Sequence, residues 1–350
     1  MSLTDFIIQV VKKKNVDNSK IRKILIIRND HIGDVCLTLP VCALLKKLNE
    51  NLVIHFLISE YAFDIAQGNF FIDKIITQKK SESINEIVEK LDNYDAVLNF
   101  CSTEFNANLC GAINASIKMG FAYKFYNILN CNTFIFKRRK NPPIHETDFC
   151  FEFAKNIFNV EDKLCAEAKT LTVINIDSDT KLFIDKYLSK FNIIQNRKTV
   201  AIHSGDNNSA LNIRINQYIE LAEILLNDFN VIFIFGPGET KLLDFFKDDC
   251  INKFSFVKGD LTLKQLCCLI SKMDCLVSGS TGPMHIAGLM NTPSVSVFSN
   301  KPSHSFKKWH PINNKMRIIE PDIEYSLKIK NRIMEFISIE KLKNAVYEII

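Results

Sequence analysis

The sequence predicts an α/β protein with two Rossmann-like parallel-sheet domains facing a central cleft. Three observations predict it. At 350 residues the chain exceeds one ordinary compact core and fits two domains of typical size. Uninterrupted apolar runs of strand length alternate with helical segments, as expected for strands buried on both faces. That alternation runs from Lys23, fades over residues 122–150, and restarts at Thr199.

Taken in order, residues 24–27 read as a first buried strand and 33–48 as a helix. Strands follow over 53–58 and 72–76, then a helix over 83–91 and a strand over 96–100. A helix from about residue 104 leads to a strand over 117–121. The less periodic stretch 122–150 carries Lys137-Arg138-Arg139-Lys140 and Pro142-Pro143. Helices over 148–158 and 179–191 lead to a polar linker over 192–198. The second half then reads strand 199–203, helix 216–226, strand 231–235, helix 239–246 and strand 254–257. Helix 263–272, strand 276–277, helix 283–290 and strand 294–298 complete it. Ligands in such sheets bind beyond the strand C-termini, so the chemistry is sought there.

Composition excludes several classes. Hydrophobic residues make up 47% of the chain and mean hydropathy is near zero, which fits a packed globular protein. No apolar run approaches the ~20 residues of a membrane span. The stretch from Phe6 to Val11 is too short for a signal peptide, and Lys12, Lys13 and Lys14 follow it instead of preceding it. It reads as an amphipathic helix in an N-terminal tail over 1–20, or as a foot on an anionic membrane surface. Eleven cysteines form no C-x-x-C pair and lie mostly in apolar segments, as buried reduced thiols of a cytoplasmic protein would. A net charge of +5 permits an anionic substrate, while no basic helix or RNP-like cluster points to nucleic acid.

Four constellations carry chemistry. Arg28-Asn29-Asp30-His31-Ile32-Gly33-Asp34 follows the first strand and starts a helix, placing Asp34 in its first turn. Asp34 is a candidate general base; its structural reading is a complement to the helix dipole. Gly279-Ser280-Thr281-Gly282-Pro283-Met284-His285 follows a strand and starts another helix with proline well placed at its first position. Backbone N–H groups of Thr281, Gly282 and Met284, with the Thr281 hydroxyl and His285, make a candidate diphosphate site. His203-Ser204-Gly205-Asp206-Asn207-Asn208-Ser209 is a polar loop able to hold phosphate oxygens, with Ser204, Gly205 and Ser209 as its candidates. Gly236-Pro237-Gly238-Glu239-Thr240-Lys241 has only the first two glycines of a dinucleotide fingerprint, and Glu239 could accept bonds from a ribose or cap a helix. Lys137, Arg138 and Arg139 read as a solvated loop or as contacts to a phosphorylated or membrane-bound acceptor. No Walker A, H-E-x-x-H or G-x-S-x-G motif occurs, and no Asp-x-Asp pair sits at a cleft-facing strand end.

In this order the motifs resemble glycosyltransferase family 9, the bacterial lipopolysaccharide heptosyltransferases. The likeness rests on Lys23 through Pro40, on Ser280 through Ala287 with Thr292-Pro293, and on Gly236 to Glu239. Lys308-Trp309-His310-Pro311 and the tail from Ile333 to Ile350 add to it. The resemblance implies a GT-B fold with an acceptor domain over 21–194 and a nucleotide-sugar donor domain over 195–335. It also implies a C-terminal helix over 336–350 that returns to the first domain. It implies a metal-independent, inverting transferase without a cofactor, its co-substrate a nucleotide diphosphate-sugar such as ADP-heptose. Asp34 would be the base, with Gly33 beside the acceptor. Thr281 to His285 would hold the diphosphate, and Glu239 and Gly236 the nucleoside. The acceptor would be a phosphorylated glycolipid, such as lipopolysaccharide core, at the inner membrane surface.

Two positions depart from the family. Ser280 stands where an aspartate usually contacts the donor sugar, and Leu211 where a lysine or arginine usually follows the phosphate loop; Arg214 lies nearby as a substitute. Another sugar donor, a dinucleotide-dependent oxidoreductase and a catalytically silent binding protein are the alternatives.

Overall fold

The computed structural model describes residues 18–137, 144–205, 210–247, 252–312, 315–324, 326 and 328–350. The chain divides after Thr172 into two compact units. The first begins with β1 (Lys23–Ile27), α1 (Ile32–Leu48), β2 (Val53–Ser59), α2 (Phe63–Ala66) and β3 (Lys74–Gln78). It continues with α3 (Ile84–Val88), β4 (Tyr94–Asn99), α4 (Glu104–Ala112), β5 (Ala115–Phe121) and α5 (Phe125–Asn130). The last elements of this unit are β6 (Thr133–Ile135), α6 (Glu146–Ile157) and α7 (Asp162–Leu171). All pairings are parallel, in the order β3-β2-β1-β4-β5-β6.

The second unit runs α8 (Ser178–Leu188), β7 (Thr199–His203), α9 (Ile215–Leu225), β8 (Asn230–Phe235), β9 (Ser255–Lys258) and α10 (Leu263–Ser271). Then come β10 (Cys275–Gly279), α11 (Gly282–Leu289), β11 (Ser294–Val297), α12 (Phe306–Trp309), β12 (Met316–Ile319) and α13 (Ile339–Ile349). Its parallel order is β12-β11-β10-β7-β8-β9, so each sheet reverses direction beside its first strand. The switch points fall between β1 and β4 and between β7 and β10. Ligand sites of such sheets lie at the strand C-termini there.

Helix α1 positions the first switch point. Every residue from Val35 to Leu45 is buried, and α6, α7 and the short α2 all touch the helix. That explains an apolar run with almost no polar stripe. Pro40 sits inside the helix and cannot donate one N–H, and the Thr38 hydroxyl bonds back to the Asp34 carbonyl at 2.8 Å.

Several elements differ from the sequence reading for identifiable reasons. β3 starts two residues late, because Asp73 spends its backbone N–H and a carboxylate oxygen on Ile54 at 2.9 and 2.7 Å. α5, β6 and β12 went unrecognised, being only six, three and four residues long. Residues Thr240–Phe245 form a 3-10 helix where an α-helix was expected.

The domain boundary moves from 194/195 to 172/173. α8 contacts α10, with Lys264–Asp177 and Lys272–Asp185 ion pairs at 2.5 and 2.7 Å and Tyr187 donating to Asp260 at 2.9 Å. The terminal helix corrects a second expectation. It packs on the second unit's own sheet, with Leu342, Ala345 and Val346 in the core beside Tyr218, Leu221 and Leu225. Lys198 and Asp228 bond to Ile350 O and Tyr347 at 2.7 and 2.6 Å. All ten described cysteines are buried thiols outside any disulfide. The expected helix near residue 6 lies outside the described residues.

Candidate functional site

At the first switch point the organising group is Arg28, which follows β1 directly and is 1% exposed. Its Nη1 donates to the Phe100 carbonyl past β4 at 3.0 Å. Its Nη2 donates to Asp34 Oδ1 and, at 3.2 Å, to Glu146 Oε1; its Nε lies 3.1 Å from Asp30 Oδ1. A buried cation without partners would cost several kcal/mol, and three carboxylates surround this one. Glu146, at the start of α6, is fully buried, whereas Asp34 and Asp30 keep 17% and 32% of their side chains exposed. The two aspartates therefore face outward while Arg28 occupies the space behind them. Burial pushes the Asp30 carboxyl up to about 6; the Asp34 charge adds to the rise and Arg28 opposes it.

Amides continue this edge. Asn29 and Asn106 exchange two hydrogen bonds of 2.9 Å, and Asn29 also donates to Gln78 at the end of β3. The Tyr61 hydroxyl donates to the Asp30 carbonyl. Asp34 stands where the sequence puts it, in the first turn of α1, with half-buried Gly33 beside it. Lys137 is exposed and paired with Glu152 at 2.9 Å. Arg138 and Arg139 lie outside the described residues. Glu146 escaped sequence reasoning, since a glutamate at a helix start reads as a dipole complement.

At the second switch point His203 ends β7, and its Nδ1 lies 3.3 Å from the Thr281 hydroxyl. Its Nε2 lies 3.3 Å from Glu239 Oε2, which also accepts the Gly236 N–H at 2.7 Å. Burial alone would raise the Glu239 carboxyl, but His203 and that N–H more than offset it and hold it below the usual range. Two glycines make room for side chains here. A Cβ at Gly205 would collide with the Glu239 carboxylate, and one at Gly279 would sit 2.6 Å from Asn212 Oδ1. Asn212, unforeseen in the sequence, donates to the Ser204 carbonyl at 3.2 Å and accepts from Ile213 N–H and Tyr218 OH.

The anion site expected at α11 is narrower than the sequence suggests. Thr281 N–H donates to Gly279 O at 2.9 Å and Met284 N–H to Thr281 O at 3.2 Å, so the turn engages two of the three amides. Met284 is fully buried. His285 is 5% exposed, and burial, with His310 adding, pushes its imidazole down to about 3. It is a neutral interior residue, so any donor it offers the turn is a neutral ring N–H. Gly282 and Ser280 remain half-buried at the turn, and Ser204 is buried. Leu211 packs on the apolar core, while Arg214 at the start of α9 is exposed and paired with Glu335. Ser209 lies outside the described residues.

A family model described as glycosyltransferase family 9 (heptosyltransferase) matches residues 87–335. A Haemophilus influenzae protein with a glycosyltransferase name is 28% identical over 308 residues, 83% of this chain and 86% of the relative. Lipopolysaccharide heptosyltransferase 1 of Campylobacter coli is 25% identical over 307 residues, 81% of this chain and 85% of its own. The solved E. coli heptosyltransferase WaaC with ADP superposes with a TM-score of 0.68 at 15% identity, covering 94% of this chain and 100% of that one. This last likeness is one of fold, and the fold is GT-B.

The Asp30 environment makes a stability prediction. A free aspartate titrates near ~3.9, so the folded chain holds an extra proton there between about pH 4 and 6. Stability from this group is present at low pH and lost as pH rises through that window. Asp30→Asn should therefore gain in melting temperature over wild type progressively from pH 4 to pH 7 in thermal denaturation. A difference that stays constant across the range would contradict the assignment.

Proposed function

This chain belongs to glycosyltransferase family 9 and is a glycosyltransferase, and from that premise we propose that it transfers heptose from ADP-heptose to a lipopolysaccharide-core acceptor. The C. coli relative is named for lipopolysaccharide, and the WaaC structure holds ADP, which supports this choice of acceptor and donor. None of the described helices is long and apolar enough to cross a membrane; in the proposed reading the glycolipid is met at the inner membrane surface from the cytoplasm. The observation that carries the reading is Asp34, at a switch point, with one carboxylate oxygen fixed by buried Arg28.

In the proposed reaction the other oxygen, Oδ2, takes the proton from the acceptor hydroxyl. The acceptor oxygen attacks the anomeric carbon opposite the diphosphate, forming one C–O bond as the bond to the diphosphate breaks. The configuration inverts, and the diphosphate leaves with the electron pair. The Gly282 N–H, the Thr281 hydroxyl and the α11 dipole would stabilise it, so no metal or other cofactor is invoked.

A different nucleotide-sugar is the second reading, and Ser280 favours it. A carboxylate accepts two strong bonds from vicinal hydroxyls, whereas a serine is shorter and neutral. A lost charge-assisted bond costs about 1.5–3 kcal/mol, roughly a ten- to hundred-fold preference.

Two outcomes are expected. With ADP-heptose and a heptose-deficient lipopolysaccharide, wild type should release ADP in EDTA, and Asp34→Asn should lower kcat by at least about a hundredfold with little change in donor KM. Near wild-type turnover would remove Asp34 from the chemistry. Ser280→Asp should shift selectivity toward ADP-heptose among ADP-sugars by roughly tenfold or more. Unchanged selectivity would mean that Ser280 does not meet the sugar.

A further inference from the structure

The His203 imidazole is wedged between an anion and the residue assigned to the donor diphosphate. Glu239 Oε2 lies 3.3 Å from Nε2, and the Thr281 hydroxyl 3.3 Å from Nδ1. His203, Glu239 and Thr281 are each no more than 6% exposed, so water does not readily replace these contacts. An ionised carboxylate only accepts, so Nε2 carries a hydrogen in either charge state of the ring. What Nδ1 does then decides what Thr281 can do. In the neutral ring Nδ1 is an acceptor, and the Thr281 hydroxyl hydrogen points at it. In the imidazolium Nδ1 carries a hydrogen and donates to Thr281 Oγ1. The hydroxyl hydrogen is then turned away from the ring, with the Gly279 carbonyl at 3.5 Å or a ligand in the turn as its acceptor.

The charge balance points the same way. A diphosphate brings two negative charges to a turn where Thr281 and Met284 amides are already engaged. The loop after β7 presents aliphatic Leu211, and Arg214 is committed to Glu335. Among the described residues the charged group paired with His203 is Glu239; Ser278 on β10 and Ile234 on β8 flank it in the sheet register and are neutral. A proton on His203 would neutralise Glu239 locally and turn the Thr281 hydroxyl outward as a donor.

We propose that donor binding is linked to protonation of His203, which acts through Thr281 as a positioning residue for the diphosphate. The inference rests on the donor reading above and adds its proton balance: one proton from solvent enters Nδ1 as the diphosphate binds. Affinity should therefore fall as pH rises, by up to about tenfold per pH unit for one linked proton.

The test is isothermal titration of the full chain with ADP-glucose, UDP-glucose and GDP-mannose, whose diphosphates are diesters and do not themselves titrate between pH 6.5 and 8.5. Binding enthalpies in HEPES and Tris, which differ in ionisation enthalpy, give the number of protons taken up. For whichever donor binds, the expected result is uptake of up to one proton, with affinity weakening toward pH 8.5. His203→Gln should bind with a flat pH profile and no uptake. Wild-type binding without proton uptake across the range would overturn the inference, as would uptake unchanged in His203→Gln. Binding of neither these three nor ADP-heptose would overturn the donor reading itself, and the inference with it.

Discussion

A guanidinium buried at the carboxyl edge of a parallel sheet constrains everything around it. Arg28 sits at the end of β1 with essentially no solvent, so its charge must be met by the protein. It is met from three directions: the loop at Asp30, the first turn of α1 at Asp34 and the first turn of α6 at Glu146. A fourth contact, to Phe100 O, ties the cation to β4 across the switch point. Buried ion pairs of this kind are seldom a net source of stability, since an apolar replacement of like volume is often as good or better. What the cluster does provide is position. It fixes one oxygen of Asp34 at the strand edge and leaves Asp30 with a carboxyl that burial raises.

The second unit repeats the topology with a different centre. The C-terminal end of its first strand again marks the organising side chain, but this is an imidazole, the last residue of β7, held by one carboxylate. Its glycines serve the protein's own side chains before any ligand: Gly205 makes room for Glu239 and Gly279 for Asn212. The family assignment makes both units parts of one transferase. It sets aside the oxidoreductase reading, which the incomplete glycine fingerprint already weakened.

Much of this was legible in the sequence because buried parallel strands are written as continuous apolar runs. Thr199–His203 was bounded correctly, and the Arg28 to Asp34 turn stood out by following such a run. The rest failed for physical reasons. Glu146 lies 118 residues from Arg28, and no local pattern announces a carboxylate whose partner comes from another element. α5 and β6 are too short to establish a period. Backbone N–H groups were counted as available at Thr281 and Met284, although a tight turn consumes them internally. His285, expected as a side-chain donor, is brought to 5% exposure with a neutral ring, which the motif alone does not announce. The α13 helix is amphipathic, which says that it packs but not on which sheet.

The account holds that the Arg28 cluster exists to position Asp34 and not to stabilise the fold. The double replacement Arg28→Met, Glu146→Leu tests this most directly, because it removes the buried cation and its most deeply buried partner together while keeping their volume. Asp34 and Asp30 each keep part of the side chain exposed, and Asp30, already raised by burial, can take up a proton. The predicted result is a folded chain that melts within a few degrees of wild type yet turns over at least about tenfold more slowly. A folded double variant with wild-type turnover would contradict it.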